Sequence, residues 1–205
     1  MLIDGHVHVN NFYRKRGRLE EMADKYVEHG FDAIITTDHF KKKDFEEGRT
    51  MDRYWEPFRQ LLKMNKFEVF PGAEVNVADT DVLVYGISIT HYKPIIDITS
   101  IPELTEYVHS KNGITIQAHP YRSKRGKFRI IVSDDVDGYE INMHPKHESN
   151  NDKTYSLLGE TGKAYTSGSD AHNIHAVGCG GMILPCNAAY NQIMECIKNK
   201  QVTIL

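Results

Sequence analysis

Met1-Leu2-Ile3-Asp4-Gly5-His6-Val7-His8 opens the chain as an apolar run that ends on two histidines one residue apart. If this run is a strand, alternate side chains share a face, so His6 and His8 project together with Asp4 one step behind them. Two imidazoles on one face are a ready pair of metal ligands. An isolated pair is equally compatible with a polar rim on a half-buried strand, so the interpretation depends on what the later strands carry.

The composition limits the class of protein. A chain of 205 residues with 40% hydrophobic residues is long enough for one well-buried domain, and we expect residues 1–205 to form it. The 25 basic and 28 acidic residues leave a formal net charge of −3, which gives no footprint for nucleic acid or for an anionic membrane. Because the sequence has neither a membrane-spanning apolar run nor a signal-peptide pattern, we expect a cytoplasmic protein.

Strand and helix patterns alternate along almost the whole chain. Apolar runs such as 31–37 and 114–118 are typical of parallel strands covered on both faces. Amphipathic runs that predict helices, such as 19–30, separate one predicted strand from the next. Residues 41–53 are charged and are expected to form an irregular excursion. About seven strands with helical returns predict an α/β fold, and they fit a closed or nearly closed barrel better than a small open sheet.

Ligand-type side chains recur at the predicted carboxyl ends of these strands, or one to three residues past them. They are His6, His8, His39, Glu74, His119, Asp170 and His172. The carboxyl ends of parallel barrel strands share one rim, where active sites are built. Seven such groups on one rim predict a multinuclear site for zinc, manganese or iron, in which Glu74 can offer one oxygen to each of two ions.

Five short motifs carry a resemblance to a known family. In chain order they are Asp4-x-His6-x-His8, Thr37-Asp38-His39, Gly72-Ala73-Glu74, Ala118-His119-Pro120 and Gly168-Ser169-Asp170-Ala171-His172. Their order and spacing resemble those of the PHP (polymerase and histidinol phosphatase) family over residues 1 to about 185. The resemblance implies a distorted seven-stranded β/α barrel that binds two or three divalent metal ions and hydrolyses a small phosphorylated substrate.

The resemblance also implies which residues hold the first two ions. His6, His8, Glu74 and Asp170 would bind the first ion, and Glu74 would bridge to a second ion held by His119. The family usually supplies a further histidine to the second ion from the next strand. In this sequence the nearest ligand-type residue is Asp81, which we expect to take that place.

A third ion would be held by His39 and His172, and here the sequence departs from the family. The family supplies an additional Asp or His from the loop after the first His-x-His motif. Residues 10–17 offer cations instead, with no carboxylate or histidine. The third site is therefore incomplete, or is completed by water or substrate, and the basic loop is an alternative grip for a phosphate oxygen.

The expected reaction is attack on phosphorus by a water or hydroxide held between two ions. Glu74, as the bridging ligand, and Asp170, which would also orient the nucleophile, are the expected catalytic residues. Asp4 and Asp38 lie next to ligand histidines, and we expect them to fix the ring tautomers, with strand or helix capping as the alternative.

The loop after the His119 strand end is expected to recognise phosphate through Arg122 and Arg125, unless it is only a solvated basic loop. His144 and His147 follow another strand end and are weaker candidates for facing the substrate. Two other functions stay open. One is a metallohydrolase of carbon–nitrogen bonds, whose sites commonly use a lysine between metals, although we expect no lysine at a strand end here. The other is a non-catalytic metal-binding or regulatory module.

Overall fold

Ten strands of one sheet make up the framework of the described part of the chain in the computed structural model, which describes residues 1–15, 17–122, 131–185 and 189–205. The strands are β1 (Leu2–Val7), β2 (Ala33–Thr36), β3 (His39–Phe40), β4 (Glu68–Val77), β5 (Thr80–Tyr85), β6 (Ile114–Gln117), β7 (Gly138–Asn142), β8 (Ala164–Gly168), β9 (Met182–Ile183) and β10 (Thr203–Ile204). The helices are α1 (Val9–Tyr13), α2 (Arg18–Glu28), α3 (Lys42–Glu46), α4 (Met51–Met64), α5 (Ile101–His109), α6 (Asn151–Thr161) and α7 (Tyr190–Lys198). Short 3-10 turns occupy Ile89–His91, Lys93–Asp97 and Glu148–Asn150.

Seven strands, in the order β1-β2-β4-β5-β6-β7-β8, form the wall of a nearly closed barrel. The first and last of them meet at the rim, where Val7 bridges Ala171 in parallel and the His8 amide donates to the Ala171 carbonyl at 3.1 Å. β9 and β10 extend the sheet beyond β1 as antiparallel additions, and β3 pairs with the end of β4. The predicted α/β barrel is therefore confirmed.

One wall strand runs against the others. β5 is antiparallel to both β4 and β6, whereas β1, β2, β4, β6, β7 and β8 pair in parallel wherever they are neighbours. The cause lies in the two-residue connection between β4 and β5, where Ala78 and Asp79 both have positive φ, 48° and 65°. Two consecutive left-handed residues make the tight turn that joins antiparallel strands. This reversal places the amino end of β5 at the rim.

Helices cover the outside of the barrel, and their apolar faces follow the expected periodicity. In α2 the buried side chains are Leu19, Met22, Ala23 and Tyr26, whereas Val27 is exposed. On β2, Ile34 belongs to the cluster that packs against these helices. The next residue, Ile35, lies in a second cluster with residues of α7. Both faces of the strand are thus buried, which explains its continuous apolar sequence.

The charged segment 41–53 is more regular than expected. It contains α3 and the first turn of α4, which starts at Met51 because the Thr50 hydroxyl caps the helix by accepting from the Arg53 amide at 3.2 Å. Ser100 caps α5 in the same way, since its hydroxyl accepts from the Glu103 amide at 3.4 Å. Within the described residues, no helix combines the length and apolar character needed to cross a membrane.

Candidate metal centre

The rim of the barrel brings the predicted ligands together. His6 lies near the end of β1 and His8 directly follows it, while Glu74 lies in the second half of β4 and His119 two residues past β6. Asp81 joins them from the amino end of β5, because that strand runs in the reverse direction. All of these side chains except Asp81 are almost fully buried.

Three overlapping groups have the spacing of metal sites. In each group the potential ligand atoms all lie within 4.8 Å of one another. The groups are His6, His8 and Glu74; Glu74, Asp81 and His119; and His8, His39 and His172. Glu74 belongs to the first two groups, which is the arrangement expected of a bridging ligand. His8 belongs to the first and third groups, so it supplies the third ligand that the sequence did not assign to the third site.

The ligand atoms of the first group are close enough together to bind one cation. The Nε2 atoms of His6 and His8 are 3.0 Å apart. Adjacent ligands about 2.1 Å from a common ion stand about 3.0 Å apart when they subtend a right angle at it. Oε2 of Glu74 and Oδ1 of Asp170 are buried and face imidazole nitrogens, at 2.5 Å from Nδ1 of His39 and at 3.0 Å from Nε2 of His8. Carboxylate oxygens and imidazole nitrogens that converge in this way form a donor set that fits divalent cations.

Asp170 joins the first group from the end of β8. Its Oδ1 atom lies 3.0 Å from Nε2 of His8 and 3.4 Å from Nε2 of His6. The residue has φ 49°, and His119 has φ 29°, both in the left-handed region that side chains other than glycine rarely adopt. Strained backbone of this kind costs about 1–3 kcal/mol and concentrates at functional sites. Here it turns two ligand-type side chains toward the rim.

The electrostatics separate the roles of these groups. Burial opposes charge on His6, but the carboxylates of Glu140 and Asp170 outweigh it and raise the pKa of His6 to about 10. For His8 burial prevails and lowers its pKa to about 3, so this ring stays neutral and one of its nitrogens keeps a lone pair for an ion. Burial also disfavours charge on Glu74, yet hydrogen bonds from His119 and His39 hold the pKa of Glu74 well below its usual range.

The structure adds one residue that sequence reasoning missed. Glu140 on β7 is buried, and its Oε1 atom lies 2.8 Å from Nδ1 of His6. Its Oε2 atom accepts from the His119 amide at 2.8 Å and from Nδ2 of Asn142 at 2.9 Å. One carboxylate therefore holds a ring of the first group and the backbone of the second. The available signal was a charged residue in the middle of a predicted strand.

Asp4 and Asp38 have other partners than those expected. Oδ1 of Asp4 accepts from the amides of His6 and Ser169, both at 3.0 Å, and so ties β1 to the end of β8. Oδ1 of Asp38 accepts from the Asn10 amide at 2.8 Å in the first turn of α1. Neither carboxylate is hydrogen-bonded to an imidazole, so the expectation that they fix ring tautomers is wrong. Both carboxylates accept from backbone amides instead, because those amides lie within hydrogen-bond distance of them.

A cavity of about 930 Å³ opens onto the ligand groups and is lined by His39, Glu74, Asp81 and Arg122 among others. Nη1 of Arg122 lies 3.1 Å from Nε2 of His119, which places this arginine at the expected mouth. Arg125 lies outside the described residues. His147 also lines the cavity, with its Nε2 atom 3.5 Å from Oδ2 of Asp170.

Arg14, in the basic segment after His8, lies away from the ligand groups, and Arg16 of that segment is outside the described residues. Residues 9–13 form α1 rather than a loop, and Arg14 lines a separate cavity of about 620 Å³ together with Asn10 and Arg49. Arg14 is not among the residues that line the cavity at the ligand groups. The suggestion that this segment grips a phosphate oxygen there is therefore not supported for Arg14.

Solved structures of other proteins share this fold. PsfC from Pseudomonas syringae is 18% identical, with a TM-score of 0.67 over 100% of this chain and 90% of its own. A two-domain protein from Bacteroides vulgatus, containing a predicted PHP-like metal-dependent phosphoesterase, is 12% identical, with a TM-score of 0.72 over 100% of this chain and 64% of its own. The PHP-associated family model matches residues 148–202. The chain therefore shares the fold of these proteins.

A further structure with a related fold is an amidohydrolase from Chromobacterium violaceum, 12% identical, with a TM-score of 0.54 over 98% of this chain and 97% of its own. No curated protein sequence matches the chain. At these identities the likeness is one of fold, and the function has to be argued from the site.

Proposed function

We propose that this protein belongs to the PHP family and is a metal-dependent phosphoesterase that acts on a small phosphorylated substrate with two or three zinc, manganese or iron ions. The observation that carries the proposal is the overlap of three ligand groups through Glu74 and His8, next to a cavity that His39, Glu74 and Asp81 line. Overlapping groups are suited to ions held a few ångströms apart, the arrangement used for displacement at phosphorus. His6, His39, Asp81, His119, Asp170 and His172 would complete the ligand set.

Bound divalent ions would supply charge stabilisation to the phosphoryl oxygens and make water nucleophilic near neutral pH. The chain's own groups would orient the reactants. Burial opposes charge on Asp170, but in the metal-free protein the charge of His6 and imidazole hydrogen bonds hold the pKa of Asp170 well below its usual range. With ions bound, this carboxylate would stay anionic beside them and could accept a hydrogen bond from the attacking water. The water oxygen bonds to phosphorus as the ester P–O bond breaks, and a proton from the water ends on the leaving alcohol.

Arg122 is the candidate for binding the phosphate. Its Nη1 atom faces Nε2 of His119, the ligand atom of the second group. When that nitrogen gives its lone pair to an ion, the guanidinium no longer has this acceptor. A guanidinium at this place can then donate to a phosphoryl oxygen, the contact for which its planar fork is suited.

The test is hydrolysis of p-nitrophenyl phosphate by protein stripped of metal and reconstituted with manganese or zinc. Glu74→Gln should lower kcat at least about 100-fold, because shared charge stabilisation worth several kcal/mol is weakened. Glu68→Gln is the matched control, since Glu68 is exposed on the same strand and lies in none of the ligand groups. Absence of hydrolysis with two or three ions bound per chain would refute the proposal.

A second candidate is hydrolysis of a carbon–nitrogen bond, favoured by the fold shared with the amidohydrolase from C. violaceum. The expectation that no lysine lies at a strand end is also wrong, since β3 ends directly before Lys41, which lines the cavity. The same metal-loaded protein should therefore be assayed on amides and cyclic amides. Amide hydrolysis without ester hydrolysis would favour this second function, and metal binding without either would favour a non-catalytic module.

A further inference from the structure

The walls of the cavity carry more cationic charge than one phosphate needs. Its basic lining residues are Lys41, Lys42, Lys43, Arg122 and Lys146, and all five side chains are exposed. The acidic lining residues are Glu74 and Asp81, and both belong to the ligand groups. Divalent ions bound at those groups would neutralise these carboxylates, so the surrounding basic charge would be left in excess.

The lysines differ in how far their charge is already compensated. Lys42 pairs with Asp97 at 2.9 Å and Lys43 with Glu47 at 3.5 Å, but both pairs are well exposed, and such pairs are weak. Lys41 and Lys146 form no ion pair with any residue that the structure describes. These two lysines are therefore the side chains most available to an anionic group in the cavity.

The same cavity has an apolar side. Ile95, Ile96, Ile98, Phe40 and Val75 line it alongside the lysines. Its volume of about 930 Å³ lies near the top of the range of about 300–1,000 Å³ typical of small-molecule sites. A phosphate group alone would fill a small part of it. The isoleucines offer contact to the organic body of a substrate, and the lysines offer contact to a charge at its other end.

We infer that the substrate carries a second anionic group, a phosphate or a carboxylate, separated by an organic linker from the phosphate that is hydrolysed, and that Lys41 and Lys146 bind it. This inference rests on the proposed function. It assigns the two ends of the substrate to different parts of the cavity. The scissile phosphate lies at the ligand groups with Arg122, and the second anion lies at the lysines.

The test compares butane-1,4-diol bisphosphate with butane-1,4-diol monophosphate as substrates of the metal-loaded protein, by phosphate release. Two equivalent phosphates give the bisphosphate a twofold advantage in kcat/KM on statistical grounds alone. We expect an advantage of at least fivefold, which should shrink as salt is added, because exposed charges are screened. In the double variant Lys41→Gln/Lys146→Gln the ratio should fall to about two. Lys63→Gln, an exposed lysine of α4 outside the cavity lining, should keep the wild-type ratio.

Binding gives a second readout that does not depend on turnover. Calorimetry with butane-1,4-bisphosphonic acid and butylphosphonic acid should show at least fivefold tighter binding of the bisphosphonate, lost in the double lysine variant. Ratios of about two in both binding and kcat/KM would overturn the inference while phosphate release upheld the proposed function. A preference that survives the double variant would overturn the assignment to Lys41 and Lys146. Preferential binding of the bisphosphonate without hydrolysis of any ester would refute the phosphoesterase proposal and, with it, the inference about its substrate.

Discussion

Replacing Glu140 by glutamine exchanges one carboxylate oxygen for an NH₂ group in the side chain that holds His6 and the His119 backbone. The wild-type carboxylate accepts three hydrogen bonds, from Nδ1 of His6, the His119 amide and Nδ2 of Asn142. A glutamine has one oxygen and one NH₂ group, so either orientation sets a donor against at least one of these donors. Leaving a buried donor without an acceptor costs about 1–3 kcal/mol. For a chain of this size that lowers Tm by about 2–12 °C.

The effect on metal binding is the sharper part of this prediction. If the glutamine NH₂ group faces His6, Nδ1 must become an acceptor and the proton moves to Nε2, the atom that belongs to the first ligand group. Loss of such an outer hydrogen-bond partner typically weakens metal binding about 10- to 100-fold. We expect a loss of this size for Glu140→Gln.

Competition with a chromophoric zinc chelator measures this loss directly. Glu160→Gln is the control, because Glu160 is exposed on α6 and makes the same chemical change without touching the site. Nitrogen-15 NMR of the imidazoles reports the tautomer of His6 independently of stability. Zinc affinity within twofold of wild type in a Glu140→Gln protein that has lost only thermal stability would refute the argument.

Three further results are expected. Gly168→Ala should destabilise the fold by about 1–3 kcal/mol and reduce activity, because a Cβ there would lie 2.5 Å from the backbone nitrogen of His6. Gly159 lies in α6 with open space around it, so Gly159→Ala should stabilise the fold by about 0.5–1 kcal/mol. Chemical denaturation measures both changes, and the opposite order of stabilities would contradict the packing. Divalent ions at about 1,000 times their Kd should raise Tm by about 8–16 °C over that of chelator-treated protein. An unchanged Tm would show that the folded protein binds these ions no more tightly than the unfolded chain does. Burial raises the pKa of the Cys179 thiol to about 11, so its alkylation rate, followed by peptide mass spectrometry, should rise tenfold per pH unit up to that value rather than level off near pH 9.

The ligands at strand ends could be predicted because the pattern is local. A run such as Met1–His8 shows where an apolar strand stops and which side chains share its face. The rim then follows from the rule that parallel strands present their carboxyl ends together. Asp81 lies at the rim for a different reason, because β5 reverses direction after the turn at Ala78 and Asp79. Its proximity to Glu74 therefore depends on a turn whose positive φ values the residue types do not require.

The residues that were missed depend on distant parts of the chain. Glu140 reaches His6 across 134 positions in sequence, and that contact exists only because the barrel brings β7 near β1. The place of His8 in the third group likewise depends on where β3 and the segment after β8 set His39 and His172. Strand periodicity gives the face on which a side chain lies, but the partner on that face is set by how the wall closes.

Titration of metal into stripped protein, with bound ions and released phosphate measured in the same samples, tests the central claim most directly. The overlap of ligand groups through Glu74 predicts little hydrolysis of p-nitrophenyl phosphate until more than one ion per chain is bound, and a steep rise as the second ion binds. Full activity in the stripped protein, or none with two or three ions bound, would contradict a metal-dependent phosphoesterase.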